Sequence, residues 1–143
     1  MHTFDENLLD PQQLSRLRVR GAKALLNAGN FAGACYMAGY SVEGAIRAAI
    51  AKQTRRHDFP NKQLAQDSWT HDLKKLLQIA SLWPKFDLAM KENSNLELNW
   101  AIAKEWKESS RFVLSTSQNQ AADLYSACTA RTHGILSWLK TYW

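Results

Sequence analysis

The chain has 143 residues, with 18 Lys and Arg against 13 Asp and Glu and a formal net charge of +5. That length fits one domain able to bury about 68 to 70% of its unfolded surface, so neither a metal nor a disulfide is needed to hold it. Only 6 Gly and 3 Pro occur, while strong helix formers dominate, which makes an all-α bundle the natural class.

The first ten residues, MHTFDENLLD, carry acids where a secretory signal needs a basic start and an apolar run. The expected setting is therefore the cytoplasm. Asp10 and Pro11 mark the entry to a first helix, since Asp caps well and Pro is tolerated in the first turn. Leu14, Leu17, Ala24, Leu25 and Ala28 are its expected apolar positions, and Gly29 with Asn30 ends it. Residues 12–55 thus read as a helical hairpin.

The second helix is rich in Ala and Gly, yet places Glu43 and Arg47 one turn apart. Phe31, Ala34, Cys35, Ala38, Val42, Ala45, Ile46 and Ala49 recur at helical spacing and predict its core face. Glu43 and Arg47 share the neighbouring stripe with Gly39 and Ile50, so their stems are expected at a helix seam with their heads toward a cleft or a partner. An exposed pair of this order contributes only roughly 0.2 to 0.5 kcal/mol. A solvated boundary salt bridge is one reading of the pair, and a polar cluster that receives a ligand or orders a subunit contact is the other. The charges make membrane insertion of this helix expensive, so no membrane span is expected.

Arg55, Arg56 and His57 suit a helix C-terminus, and HDFPNKQLAQDSW lacks any period and reads as a candidate functional loop. Ser68 or Thr70 is expected to cap a third helix, with His71 and Asp72 in its first turn and Leu73, Leu76, Leu77 and Ala80 buried. Trp83 and Pro84 break the pattern before a short helix around residues 86–90. A further helix follows with Leu96, Trp100, Ala103 and Trp106 inward, ending at Ser109 and Ser110. A final helix spans about residues 118–139 and buries Ala121, Leu124, Tyr125, Cys128, Ile135 and Leu139. Cys35 and Cys128 read as buried free thiols. Trp138, Tyr142 and Trp143 either pack on their own chain or cover an interface.

No histidine has a second metal ligand convincingly placed at helical spacing, the nearest candidate being His71 with Asp72, whose adjacent side chains point apart, and no phosphate-cradling glycine loop or nucleophile elbow occurs. No catalytic residue, metal or cofactor is nominated on these grounds.

Three segments, YMAGYSVEGAIRAAIAK, THDLKKLL and ESSRFVL, occur in an order that resembles a HEPN domain, the higher eukaryotes and prokaryotes nucleotide-binding family, over about residues 12–140. The resemblance implies one domain built as an up-and-down bundle of four or five main helices that pairs into a homodimer. Carried over residue by residue, it makes Glu43 and Arg47 the family's Glu and basic residue, His71 and Asp72 part of its His-Asp-Leu segment, and Arg111 with Phe112 its Arg-Tyr pair. The implied function is binding of a nucleotide, RNA or a partner such as a companion nucleotidyltransferase, in a toxin-antitoxin or defence setting. RNA-cleaving members carry an Arg followed a turn or two later by a His, and no such pair is present. Arg131 and His133 are only two apart, which on a helix turns them roughly 200 degrees from each other. The rival readings are a metal-independent ribonuclease with a rearranged site drawn from Arg111, Arg131 or His133, and a purely structural oligomerisation domain.

Overall fold

The computed structural model describes residues 10–57, 70–109 and 115–143, with side chains from 54 to 57 excepted. Arg55, Arg56 and His57 are the last residues of the second helix, as expected, while the loop that follows them, Ser68, Arg111 and Phe112 lie outside the described residues. Seven helices and no strands form the described residues: α1 Pro11–Asn27, α2 Phe31–His57, α3 Leu73–Ile79, α4 Trp83–Glu92, α5 Ser94–Ala103, α6 Gln118–Thr129 and α7 Ile135–Leu139. None is long and apolar enough to cross a membrane.

Each start has a local chemical cause. Asp10 accepts from the Gln13 amide at 2.8 Å while the Gln13 side chain accepts from the Asp10 amide at 2.9 Å, a reciprocal cap on α1. Gly29, at φ 81°, takes the left-handed conformation that ends the hairpin's first arm. Asn30 then caps α2 through the Gly33 amide at 2.9 Å. Ser117 and Gln120 repeat the reciprocal cap on α6.

α2 is the central element, packed against α1, α3, α6 and α7. Its small residues decide how closely α1 approaches. A side chain on Gly44 would stand 3.3 Å from the Arg18 guanidinium and 3.6 Å from Ser15, and the Ser15 hydroxyl donates to the Ser41 carbonyl across the seam at 2.7 Å. Ser15 and Ala22 are consequently the buried residues of α1, whereas the expected core residue Leu17 is 44% exposed. A close helix seam admits small side chains at its centre and displaces larger ones to its flanks.

Four boundaries differ from the sequence reading, one being that α5 ends at Ala103 and does not run on to Ser109. Asp72, rather than Ser68 or Thr70, caps α3 by accepting from the Lys75 amide at 2.9 Å, so His71 and Asp72 precede the helix. Pro84 sits in the first turn of α4 and starts that helix, as its missing N–H allows. The long final helix is two, α6 and α7, separated by a turn in which His133 has φ 64° and a side chain on Gly134 would meet the Ala130 carbonyl oxygen at 2.3 Å. Ser137 closes this turn by donating to the carbonyls of Ala130 and Arg131, each at 2.8 Å.

One apolar cluster joins all seven helices, with Ile46, Leu76, Leu77, Phe86, Ile135 and Leu139 among its fully covered members. The C-terminal aromatics pack on their own chain: Trp138 lies edge-on to Phe86 at 4.9 Å and against Tyr142 at 4.7 Å, and Arg16 covers the Trp143 ring at 5.1 Å. Cys35 and Cys128 are buried free thiols.

Candidate functional site

Glu43 lies at the middle of α2 and is 1% exposed, so of the two readings of the pair the solvated boundary salt bridge is not what forms. A buried carboxylate is costly unless it is paired and hydrogen-bonded. Glu43 is held by His71 Nδ1 at 2.6 Å from Oε1 and, more weakly, by Arg47 Nε at 3.4 Å from Oε2. The Arg47 guanidinium also donates to the Thr70 carbonyl at 2.8 Å. The two residues of α2 therefore clamp the segment entering α3 from both ends, one by its backbone and one by the imidazole.

His71 is the outward member of the group. With Nδ1 committed to Glu43, its second nitrogen, Nε2, lies 3.2 Å from Oε2 of Glu108 in the stretch that follows α5. Its side chain is 38% exposed and that of Glu108 41%. Both contacts are hydrogen bonds when each ring nitrogen carries a hydrogen. Asp72, the neighbouring candidate, turns away from Glu43 and spends its carboxylate on the α3 cap. Of the residues singled out from the sequence, Glu43, Arg47 and His71 come together, Asp72 stands beside them as a cap, and Arg111 lies outside the described residues.

His71 and Glu108 open onto a cavity of about 650 Å³. Its walls carry Trp83, Trp100 and Trp106 together with Lys74, Lys104 and Lys107. Trp83 and Trp100 stand with ring centres 5.9 Å apart, and the Lys74 ammonium lies 4.7 Å from the centre of the Trp83 ring. Trp106 is buried past the end of α5, and its indole N–H has no partner among the described residues. Its ring covers Gly39, where a side-chain carbon would come within 2.2 Å of it. One stripe of α2 thus serves the site at consecutive turns: Gly39 seats Trp106, Glu43 holds His71, and Arg47 holds Thr70.

The sequence reading missed Trp106 as a site wall and gave Glu108, the first residue of ESSRFVL, no role of its own. The Gly39–Glu43–Arg47 spacing signalled a special stripe, but its partners come from segments far along the chain. Among the described residues, the cavity lining contains no hydroxyl or thiol side chain. Among the described residues, no group of three or more His, Cys, Asp or Glu side chains is placed to hold a metal ion. The chemistry on offer is aromatic stacking, lysine charge, and a histidine oriented from behind by a buried carboxylate.

A second cavity of about 570 Å³ is lined by Glu92, Asn93, Arg131, His133, Ser137 and Trp138, among others. Because residues 131–133 form a turn and not a helix, the opposed directions expected for Arg131 and His133 do not arise, and both border this cavity. The Asn93 oxygen accepts from the amides of Asn95 and Leu96 at 3.0 and 3.2 Å, which leaves its NH₂ facing the two ring nitrogens of His133 at 2.6 and 3.1 Å. His133 therefore accepts a hydrogen bond there.

No family model, no curated protein and no solved structure matches the chain.

Proposed function

We propose that the chain is a HEPN-like helical module that binds a nucleotide in the cavity in front of His71 and does so without catalysis. The observation that carries this reading is the coincidence of three tryptophans and three lysines around one cavity of about 650 Å³. That volume falls in the range of small-molecule sites, about 300 to 1,000 Å³. Tryptophan faces stack on any base, and lysines act as point charges for phosphate. Glu43 and Arg47 are positioning residues in this account, because they hold His71 and Thr70 and do not line the cavity.

The same resemblance places the module in a homodimer, in contact with RNA or with a companion nucleotidyltransferase. The exposed leucines and isoleucine of α4 and α5, Leu88, Leu98 and Ile102, supply apolar surface for such contacts. Calorimetric titration with adenosine 5′-monophosphate tests the central claim. Binding is expected, with a loss of at least tenfold in Lys104→Ala, and no heat at millimolar nucleotide overturns it.

A ribonuclease reading is favoured by one observation, the shared cavity of Arg131 and His133. It requires cleavage of RNA without metal that both Arg131→Ala and His133→Ala abolish. Intact RNA after prolonged incubation removes it.

A further inference from the structure

We infer that Glu108 is a built-in competitor for this site, its carboxylate occupying the position on His71 that the phosphate of a bound nucleotide takes. The inference rests on the nucleotide reading of the cavity and adds to it which atom receives the phosphate and what must leave first.

The two carboxylates on His71 are unlike each other. Glu43 is buried within α2, 2.6 Å from Nδ1, and fixes the ring. Glu108 lies at 3.2 Å from Nε2, is half in water, and belongs to the stretch after α5 and not to a helix interior. A pair this exposed contributes little to stability, so turning Glu108 outward costs little. Glu43 has no such freedom, because its side chain is enclosed on the middle of α2.

The surroundings favour an anion on Nε2. Lys74, Lys104 and Lys107 border the same cavity with the acids Asp72 and Glu105 beside Glu108, and Asp72 is already committed to the Lys75 amide of α3. A carboxylate is also the protein side chain closest in chemistry to a phosphate oxygen: both accept from an imidazole N–H, and both suit a lysine-rich rim. Phosphate brings more negative charge and more acceptor oxygens than Glu108 does, so it is the stronger occupant where lysines converge. Glu108 thereby occupies Nε2 in the empty site and raises the threshold for ligands that lack a phosphate.

The test uses the full chain with Glu108→Gln and Glu108→Ala, titrated calorimetrically with adenosine 5′-monophosphate and with adenosine. Both variants are expected to bind the monophosphate at least tenfold more tightly than the unaltered protein, with adenosine affinity unchanged within twofold. Imidazole ¹⁵N spectra give a ligand-free readout: Glu108→Ala is expected to move the His71 Nε2 resonance and leave Nδ1 in place. Monophosphate binding that depends on Lys104 but is the same in all three proteins overturns the competitor role and spares the nucleotide reading. An Nε2 resonance unmoved by Glu108→Ala also overturns the competitor role, whatever binds. Failure of the unaltered protein and both variants to bind either compound removes the nucleotide reading and this inference together.

Discussion

Glu43 is a carboxylate in a place where an apolar side chain would serve the fold equally well, flanked by Val42, Ala45 and Ile46 in the core. Replacing a whole buried ion pair by apolar groups is often neutral or stabilising, and the partners that Glu43 would leave behind, Arg47 and His71, are 30% and 38% exposed and stay in contact with water. Glu43→Met is therefore expected to unfold in urea within about 1 kcal/mol of the unaltered protein, yet to bind adenosine 5′-monophosphate at least tenfold less tightly because His71 loses its anchor. A variant that loses several kcal/mol and keeps its affinity would show the carboxylate to be structural. Cys128 makes a second case at this scale. Burial, and then the neighbouring Cys35, push its thiol up from the ordinary 9.0 to about 12. The unfolded chain releases that proton near 9.0 and the folded one near 12, so the stability is fully present below 9.0 and is lost as the pH climbs toward 12. Urea unfolding between these limits is expected to lose about 1.4 kcal/mol per pH unit more in the unaltered protein than in Cys128→Ala. The sequence carried half of this information. Glu43 and Arg47 are neighbours on any helix, and Cys128 falls on an apolar face, so both are legible from periodicity. His71 was reached through its resemblance to a motif. Glu108 and Trp106 were not legible as partners, because 65 residues of chain separate Glu43 from Glu108 and no local pattern records such a pairing.

Helix boundaries obey the same division between local and distant causes. Caps were readable at Asp10, which acts within its own turn, and misread before α3, where Asp72, expected inside the first turn, is itself the cap. The apolar face of α1 was misplaced because its contact with α2 is set by small residues, which hydrophobic periodicity undervalues: Ser15 and Ala22 went inside, and Leu17 stayed out. The break between α6 and α7 escaped for a related reason. Apolar spacing continues in phase from Cys128 to Ile135 and Leu139, while Gly134, the residue that admits the turn, is one small signal. Its role is steric, since its own φ is −70° and any residue adopts that value. A methyl group there would meet the Ala130 carbonyl oxygen at 2.3 Å, and that atom is backbone, held by the Ser137 hydroxyl. Gly134→Ala is expected to cost about 2 kcal/mol or more in urea unfolding, by forcing the turn open. Because the turn also carries Arg131 and His133, the side-chain ¹⁵N signals of His133 are expected to shift in the same variant while those of His71 do not. Shifts at both histidines would mean that the two cavities are mechanically joined.

At the scale of the molecule, the site is assembled from pieces that the core holds in common. The cavity walls come from the entry to α3, from α4, from α5 and from the stretch beyond it, and the buried residues of those helices belong to the same apolar cluster as α2 and α6. Ile46 of α2, Leu76 of α3, Phe86 of α4 and Trp100 of α5 are all members of that cluster. A ligand that bridges these walls binds only the folded arrangement, and its free energy adds to the stability of the whole by mass action. At a nucleotide concentration of about a hundred times Kd this amounts to about 2.7 kcal/mol. A chain of this length gains about 2 to 4 °C per kcal/mol, so adenosine 5′-monophosphate is expected to raise the unfolding midpoint by about 5 to 10 °C, seen alike by tryptophan fluorescence and by far-ultraviolet circular dichroism. The agreement of the two probes is the informative part. Trp83, Trp100 and Trp106 report the cavity, whereas the dichroism is dominated by α1, α2 and α6, the longest helices among the described residues. If nucleotide shifts the fluorescence transition and leaves the dichroism transition where it was, the cavity walls unfold separately from the α1–α2–α6 body. The clamp of Glu43 and Arg47 on residues 70 and 71 would then be the weak joint of the molecule, and Glu43→Met would be expected to widen the gap between the two transitions.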